Sequence, residues 1–210
     1  MDLKVRDRTP EELSVRKHEF LKICDILDNL NINYFLQTGI LLGAIRDKDL
    51  IKWDWDIEIS VFSKEFLNQI EPLAESLKKA GFKILNITKK ENDSKIDFIG
   101  KYPEEVTGYT VFSWNYSRIK DTYWRREFSV PSKFLNSFST INFFGRKFKC
   151  PHEPEQYLTF AYGNWKKPLR TSDKEIYNSS NFKNKRITFL RDMKNKIKKK
   201  IYLILKGVKL

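Results

Sequence analysis

The chain has 210 residues, 40% hydrophobic and 32% charged, a balance that fits a globular domain with a buried core and argues against disorder. No apolar run approaches the ~20 residues of a membrane-crossing helix, and two cysteines with two histidines argue against a structural zinc site or a disulfide framework. The net charge of +13 is unevenly spread: residues 183–210 hold eleven basic groups against Asp192 alone, which leaves 29 basic and 26 acidic groups in residues 1–182.

The elements follow in chain order. The opening "MDLKVRDRTPEELSV" lacks the apolar core of a secretory signal, which predicts a cytosolic chain. From Thr9-Pro10 and two glutamates a helix starts, with Leu13, Phe20, Ile23, Ile26, Leu27 and Leu30 at helical spacing. "INYFLQTG" predicts a short strand ending at Gly39, "ILLGAIRD" a short helix, and "WDWDIEISVF" a strand. "SKEFLNQIEPLAESLKKAG" reads as one helix closed by Gly81. "FKILNITKK" and "SKIDFIGKY" read as a strand pair across "ENDS". Strands at "YTVFSWNYSRI" and "TYWRREFSV", a strand or hairpin at "INFFGRKFKCP" and a closing helix at "EPEQYLTFAYG" complete the body. The expected class is α/β (α+β), a mixed sheet flanked by helices.

Residues 183–210 form a separate object. Ile187, Leu190, Met193, Ile197, Ile201, Ile204 and Val208 step by three or four, with most lysines elsewhere on the wheel. A basic amphipathic C-terminal helix of this kind suits an anionic membrane surface, each Lys or Arg being worth about 1 kcal/mol there. The alternatives are a helix packed on the body or a second subunit, and RNA binding. The domain expectation is therefore one globular body over 1–182 and a tail over 183–210.

Within the body, Asp54, Asp56 and Glu58 stand two apart. In a strand they share one face, while Trp55, Ile57 and Ile59 point the other way into a core. Like charges so placed repel unless a cation sits among them. On an ordinary surface strand they would simply face water. Here Asp97, in "KIDFI", offers a further acid from a second strand with apolar neighbours. Carboxylates converging from adjacent strands make an oxygen-only site suited to Mg²⁺ or Mn²⁺, which can orient a diphosphate for in-line displacement.

The pattern resembles the LicD/fukutin family, whose fold is nucleotidyltransferase-like. The similar core is "YFLQTGILLGAIRDKDLIKWDWDIEIS", with Gly39, Leu41, Leu42, Gly43, Arg46, Trp53, Asp54, Asp56 and Glu58 at matching positions. The similar closing element is "FKCPHEPEQYLTFAYGNWKKP", through Pro151, Tyr157, Leu158, Tyr162, Gly163, Trp165 and Pro168. Asp97 stands where the family carries its further aspartate. The resemblance spans about residues 10–170, with both motifs in order. Departures are Trp55 where a third acid is frequent, Lys52 for proline, Ile40 for threonine and Glu58 for aspartate. The chain has no Cys-His zinc loop like that of some animal members, as in a compact bacterial form.

The resemblance implies a phosphotransferase that moves a phospho-alcohol, such as phosphocholine, from a CDP-linked donor to a hydroxyl of a surface glycan of capsule, lipopolysaccharide or teichoic acid type. Other members transfer phosphoethanolamine or ribitol phosphate. It implies Asp54, Asp56, Glu58 and Asp97 as catalytic and metal-binding residues, with Asp97 at a second metal or accepting the acceptor hydroxyl's proton. Gly39, Gly43, Arg46, Trp53 and Tyr162 are the candidate substrate contacts, Arg46 being equally readable as a surface ion pair. A choline cage would draw on Trp114, Tyr116, Tyr123, Trp124, Tyr162 and Trp165, which could equally be core. Arg125 and Arg126 could contact phosphate or sit on an exposed face. A lipid-linked acceptor would place the enzyme peripherally at the inner face of the cell membrane. The rival readings are a nucleotidyltransferase acting on RNA or a small molecule, and a glycan- or nucleotide-binding module without chemistry.

Overall fold

A computed structural model describes residues 5–90, 93–171 and 182. The first helix, α1 (Pro10–Asn29), begins with a reciprocal cap: Glu12 N donates to Thr9 Oγ1 at 3.2 Å and Thr9 N to Glu12 Oε2 at 2.8 Å. Pro10 occupies the first turn, where its missing N–H is not needed. The strand β1 (Tyr34–Leu36) leads into α2 (Thr38–Leu42), which continues as a π-helical turn over Gly43–Asp47. Then come β2 (Asp56–Phe62), α3 (Ser63–Phe66), α4 (Ile70–Lys79), β3 (Lys83–Thr88) and β4 (Lys95–Ile99). The remainder is β5 (Gly108–Ser117), β6 (Thr122–Arg125), β7 (Phe128–Pro131), β8 (Phe138–Phe143), β9 (Arg146–Pro151) and α5 (Pro154–Tyr162).

The main sheet runs β1-β2-β5-β4-β3, with β6 added to the end of β5 and β7 to β6; β8 and β9 form a separate hairpin. β2 and β5 are parallel and the other pairs antiparallel, so the mixed sheet expected from the sequence is present. The period of two sorts its residues cleanly. Ile57, Ile59, Ile96, Phe98, Tyr109 and Val111 enter a core beneath α1 and α4, where Phe20, Ile23, Leu27, Leu73 and Leu77 meet them. The opposite face carries Glu58, Asp97, Thr110, Phe112 and Trp114. A second core of Phe35, Leu41, Phe112, Trp114, Tyr157, Leu158 and Trp165 ties that side to α2 and α5. Among the described residues no helix is long and apolar enough to cross a membrane.

Three expectations need correction. The single helix over 63–81 is two, α3 and α4. Pro72 is tolerated in the first turn of α4, but in a continuous helix its ring would meet the carbonyl of Asn68. "TYWRREFSV" is a hairpin, with Arg125 paired to Phe128 and Arg126 at φ 51° in the turn. Finally, the acidic strand begins at Asp56, so Asp54 and Trp55 belong to the turn before it. The amphipathic segment 183–210 lies outside the described residues.

Candidate active site

A cavity of about 440 Å³ opens on the second face of the sheet, within the range of small-ligand sites. Asp54, Asp56, Glu58, Asp97, Gly39, Arg46, Trp53 and Tyr162 all line it. Trp55, expected on the opposite, packed face, lines it too, because it precedes the strand and is freed from strand alternation.

Asp54 reaches the site from its turn through two devices. Asp54 N donates to Ile51 O at 3.1 Å, closing the turn. Arg16, on α1 and 1% exposed, donates from Nη1 to Asp54 O at 2.6 Å and from Nη2 to Asp56 O at 3.3 Å. A guanidinium buried against two carbonyls fixes the backbone that carries both acids and lends positive charge from behind. Gly39 completes the fit: a Cβ there would lie 2.7 Å from Asp54 Oδ2. Next to it, Thr38 holds φ 55°, uncommon for a β-branched residue, and its Oγ1 donates to Glu58 Oε2 at 3.4 Å. Burial pushes the Asp54 carboxyl above its ordinary range and Glu58 adds to this, against the pull of Arg16 and a hydrogen bond with Asp56.

Asp97 is provisioned differently. In the sheet register both Glu58 and Asp97 pair with Thr110, so two strand spacings, about 10 Å, separate their backbones. Thr110 Oγ1 donates to Asp97 Oδ1 at 3.0 Å, Asn86 Nδ2 to Oδ2 at 3.1 Å, and the Lys95 ammonium also binds Oδ2. Burial would raise this carboxyl, but Lys95 and the two neutral donors outweigh it and hold it below its ordinary range.

The other candidates divide. Arg46 grips Asp47 with Nε and Nη2 at 2.7 and 2.8 Å, reaches the Trp165 carbonyl at 3.4 Å and lies 5.8 Å from the Trp53 ring. It is an ion-paired wall of the cavity. Gly43 is not among the lining residues; a Cβ there would lie 2.6 Å from Asp49 O, so this glycine permits a close backbone approach. Of the six cage aromatics, Trp114, Tyr162 and Trp165 line the cavity. Trp114 donates to Ser60 Oγ and Trp165 to Thr159 Oγ1. Tyr116 and Tyr123 instead bond Asp121 and Asn136. Arg125 and Arg126 both line the cavity, Arg125 buried and Arg126 half exposed on Asp93.

Sequence reasoning gave no role to Arg16, Thr38, Lys95 or Thr110. Arg16 had a signal: it falls three residues after Leu13 and four before Phe20, a charge on the apolar stripe of α1. Thr38 and Thr110 had none, since their importance comes from positive φ and from sheet register.

Among the described residues no group of three or more His, Cys, Asp or Glu side chains is drawn into a finished metal cluster. What the fold draws together is a hydrogen-bonded pair, Asp54 and Asp56, with Glu58 close enough to raise the Asp54 carboxyl. Two acids sharing a half-buried place, with a glycine cleared around one of them, fit a hard divalent cation that keeps waters and takes further oxygen from a phosphate.

The fold and site together define a mixed-sheet α/β domain with paired carboxylates above a cavity. The family model described as LicD/FKTN/FKRP, nucleotidyltransferase domain, matches residues 31–153, and the chain belongs to that family. Ribitol 5-phosphate transferase FKRP of Mus musculus is 24% identical over 161 residues, covering 67% of this chain and 30% of that protein. Ribitol-5-phosphate transferase FKTN of Macaca fascicularis is 25% identical over 179 residues, covering 80% of this chain and 37% of that protein. Uncharacterized protein RT0683 of Rickettsia typhi is 26% identical over 80 residues, 38% of this chain and 26% of that protein. The chain thus spans about a third of the length of the two transferases.

Proposed function

We propose that this chain transfers a phospho-alcohol from a CDP-activated donor to a hydroxyl of a surface glycan. The observation that carries the reading is the half-buried Asp54–Asp56 pair opening, with Glu58 and Asp97, into one cavity. The family supports it, as do the two relatives whose names state ribitol phosphate transfer.

Asp54 and Asp56, with Glu58 beside them, would hold Mg²⁺ or Mn²⁺, which when bound neutralises charge on the donor diphosphate. The acceptor hydroxyl oxygen forms a bond to the phosphorus bearing the alcohol, and the bond from that phosphorus to the bridging oxygen breaks. CMP leaves with the electron pair, and the acceptor hydroxyl's proton is released to solvent water. Direct transfer of this kind needs placement and electrostatics more than a nucleophilic side chain. Arg16 and Thr38 keep the carboxylates in position. Asp97, already accepting from three donors, serves better to hold Lys95 and Thr110 at the cavity wall than to take a proton. The basic segment 183–210 would keep the enzyme near a membrane-borne acceptor.

The test is thermal stability against CDP-ribitol, CDP-choline, CDP-ethanolamine and the other nucleoside diphosphates, with and without Mg²⁺, followed by transfer to glycan. A rise of several degrees with one CDP-alcohol, lost with EDTA or in Asp56→Asn, is expected and names the alcohol. The absence of any response to nucleotide or Mg²⁺ would overturn the proposal.

A further inference from the structure

The cavity also holds a buried cation with a loose ion pair and an Nε that has no hydrogen-bond acceptor. Arg125 ends β6 and is 7% exposed. Its guanidinium carbon lies 4.0 Å from the centre of the Phe112 ring. Nε has no hydrogen-bond acceptor, and the nearest carboxylate recorded for it among the described residues, Asp93 Oδ1, is 3.8 Å away. Asp93 Oδ2 accepts from Arg126 Nε at 2.9 Å, and its Oδ1, which faces Arg125, stays beyond hydrogen-bond distance and has no hydrogen-bond partner of its own. Burying a guanidinium costs several kcal/mol unless charge and hydrogen bonds compensate, and here the fold provides a flat ring, a loose ion pair with Asp93 and the field of Glu58, with no hydrogen bond to Nε.

The position is well fixed. Arg125 pairs with Phe128 across the tight turn at Arg126 and Glu127, so the hairpin aims the side chain from its first residue. Phe112, which supports it, pairs with Ser60 on one side and Lys95 on the other, one pleat beyond Thr110. The guanidinium therefore stands over the same three strands that present Glu58 and Asp97.

We infer that Arg125 binds a phosphate oxygen of the ligand, so that the site takes a diphosphate between this guanidinium and the Asp54–Asp56 pair. A planar fork of N–H donors, stacked on a ring and short of acceptors, matches two oxygens of one phosphate. The acids alone would repel an anion. The guanidinium selects a ligand whose negative charge is partly neutralised by a cation on one side and unneutralised on the other. A nucleoside diphosphate ester with a divalent ion is such a ligand, and this deepens, and rests on, the transfer reading above.

The experiment is titration calorimetry of the full chain with inorganic diphosphate and with CDP, both with Mg²⁺, on the wild type, Arg125→Met, Arg125→Lys and Asp93→Asn. Arg125→Met should weaken diphosphate by about tenfold or more, with Arg125→Lys between it and the wild type because charge is kept and the fork is lost. Asp93→Asn, which removes a negative charge from beside the anion, should bind at least as tightly as the wild type and shows that any loss is not general damage to this hairpin. Equal diphosphate affinity in the wild type and Arg125→Met, or no affinity in the wild type, overturns the inference. Arg125-dependent diphosphate binding without transfer from any CDP-alcohol would keep the inference and remove the transfer reading instead.

Discussion

Two acidic stations face one cavity from either side of Thr110, and the fold equips them in opposite ways. Asp97 receives Lys95, Asn86 and Thr110 and is held ionised. Asp54 is half-buried against Asp56, while the nearby Arg16 spends both terminal nitrogens on backbone carbonyls. The first station is complete within the chain. The second has no side-chain cation bonded to its carboxylates in the same way, and on the proposed function it is the station that a divalent cation would fill. The comparison teaches that acids on one face are not equivalent; the donors already committed to each acid separate a finished station from one that could take a cation.

The comparison breaks most sharply in activity. Asp56→Asn should lower transfer by about 10³-fold with Mg²⁺ present, whereas Asp97→Asn should lower it by about tenfold to a hundredfold. Steady-state rates of both variants on one donor check this, and a reversed order would mean that Asp97 holds the metal. Next in size is the backbone clamp. Arg16→Met should cost about 2–4 kcal/mol in urea unfolding, because two partly buried carbonyls lose their donor. Gly39→Ala should show the converse pattern: its Cβ would crowd Asp54 Oδ2, so transfer should fall by about 10²-fold while unfolding shifts by less than about 1 kcal/mol.

The smallest effect is a difference in sign with pH, read by thermal melting without divalent ions. Asp97 lies below its ordinary value of 3.8, so its contribution is present above that pH and is lost as pH falls through the lowered value. Asp97→Asn should remove that acid limb. Asp54 lies above 3.8, so its contribution is present below that pH and is lost as pH rises through the raised value. Asp54→Asn should therefore gain stability at neutral pH and gain nothing in acid. Two variants with the same slope would erase the distinction between the stations.

Much of this was legible beforehand because it rests on local chemistry. The Thr9–Glu12 cap, the alternation through Ile57, Glu58 and Ile59, and the Lys95–Ile99 strand with Asp97 on the polar face all follow from residue order. Pro72 breaks the expected long helix through its position relative to Asn68, a local rule that the sequence already carries. The other misread places are those where distant residues decide. Asp54 looked like a strand residue, and only the Ile51 and Arg16 contacts show it as part of a turn. Arg125 was open between a phosphate contact and an exposed face, and the hairpin that turns it inward over Phe112 is what removes the second.

The parallel pairing of β2 with β5 has a further consequence, for the order in which the molecule comes into being. About 45 residues separate the end of β2 from the start of β5, and they form α3, α4, β3 and β4 by mostly local contacts. Glu58, Thr110 and Asp97 become neighbours only when that whole excursion has closed, which loop entropy makes slow relative to the hairpin and helix it contains. A nascent chain that has not yet emerged past Ser117 therefore carries these acids without the sheet that brings them to one cavity.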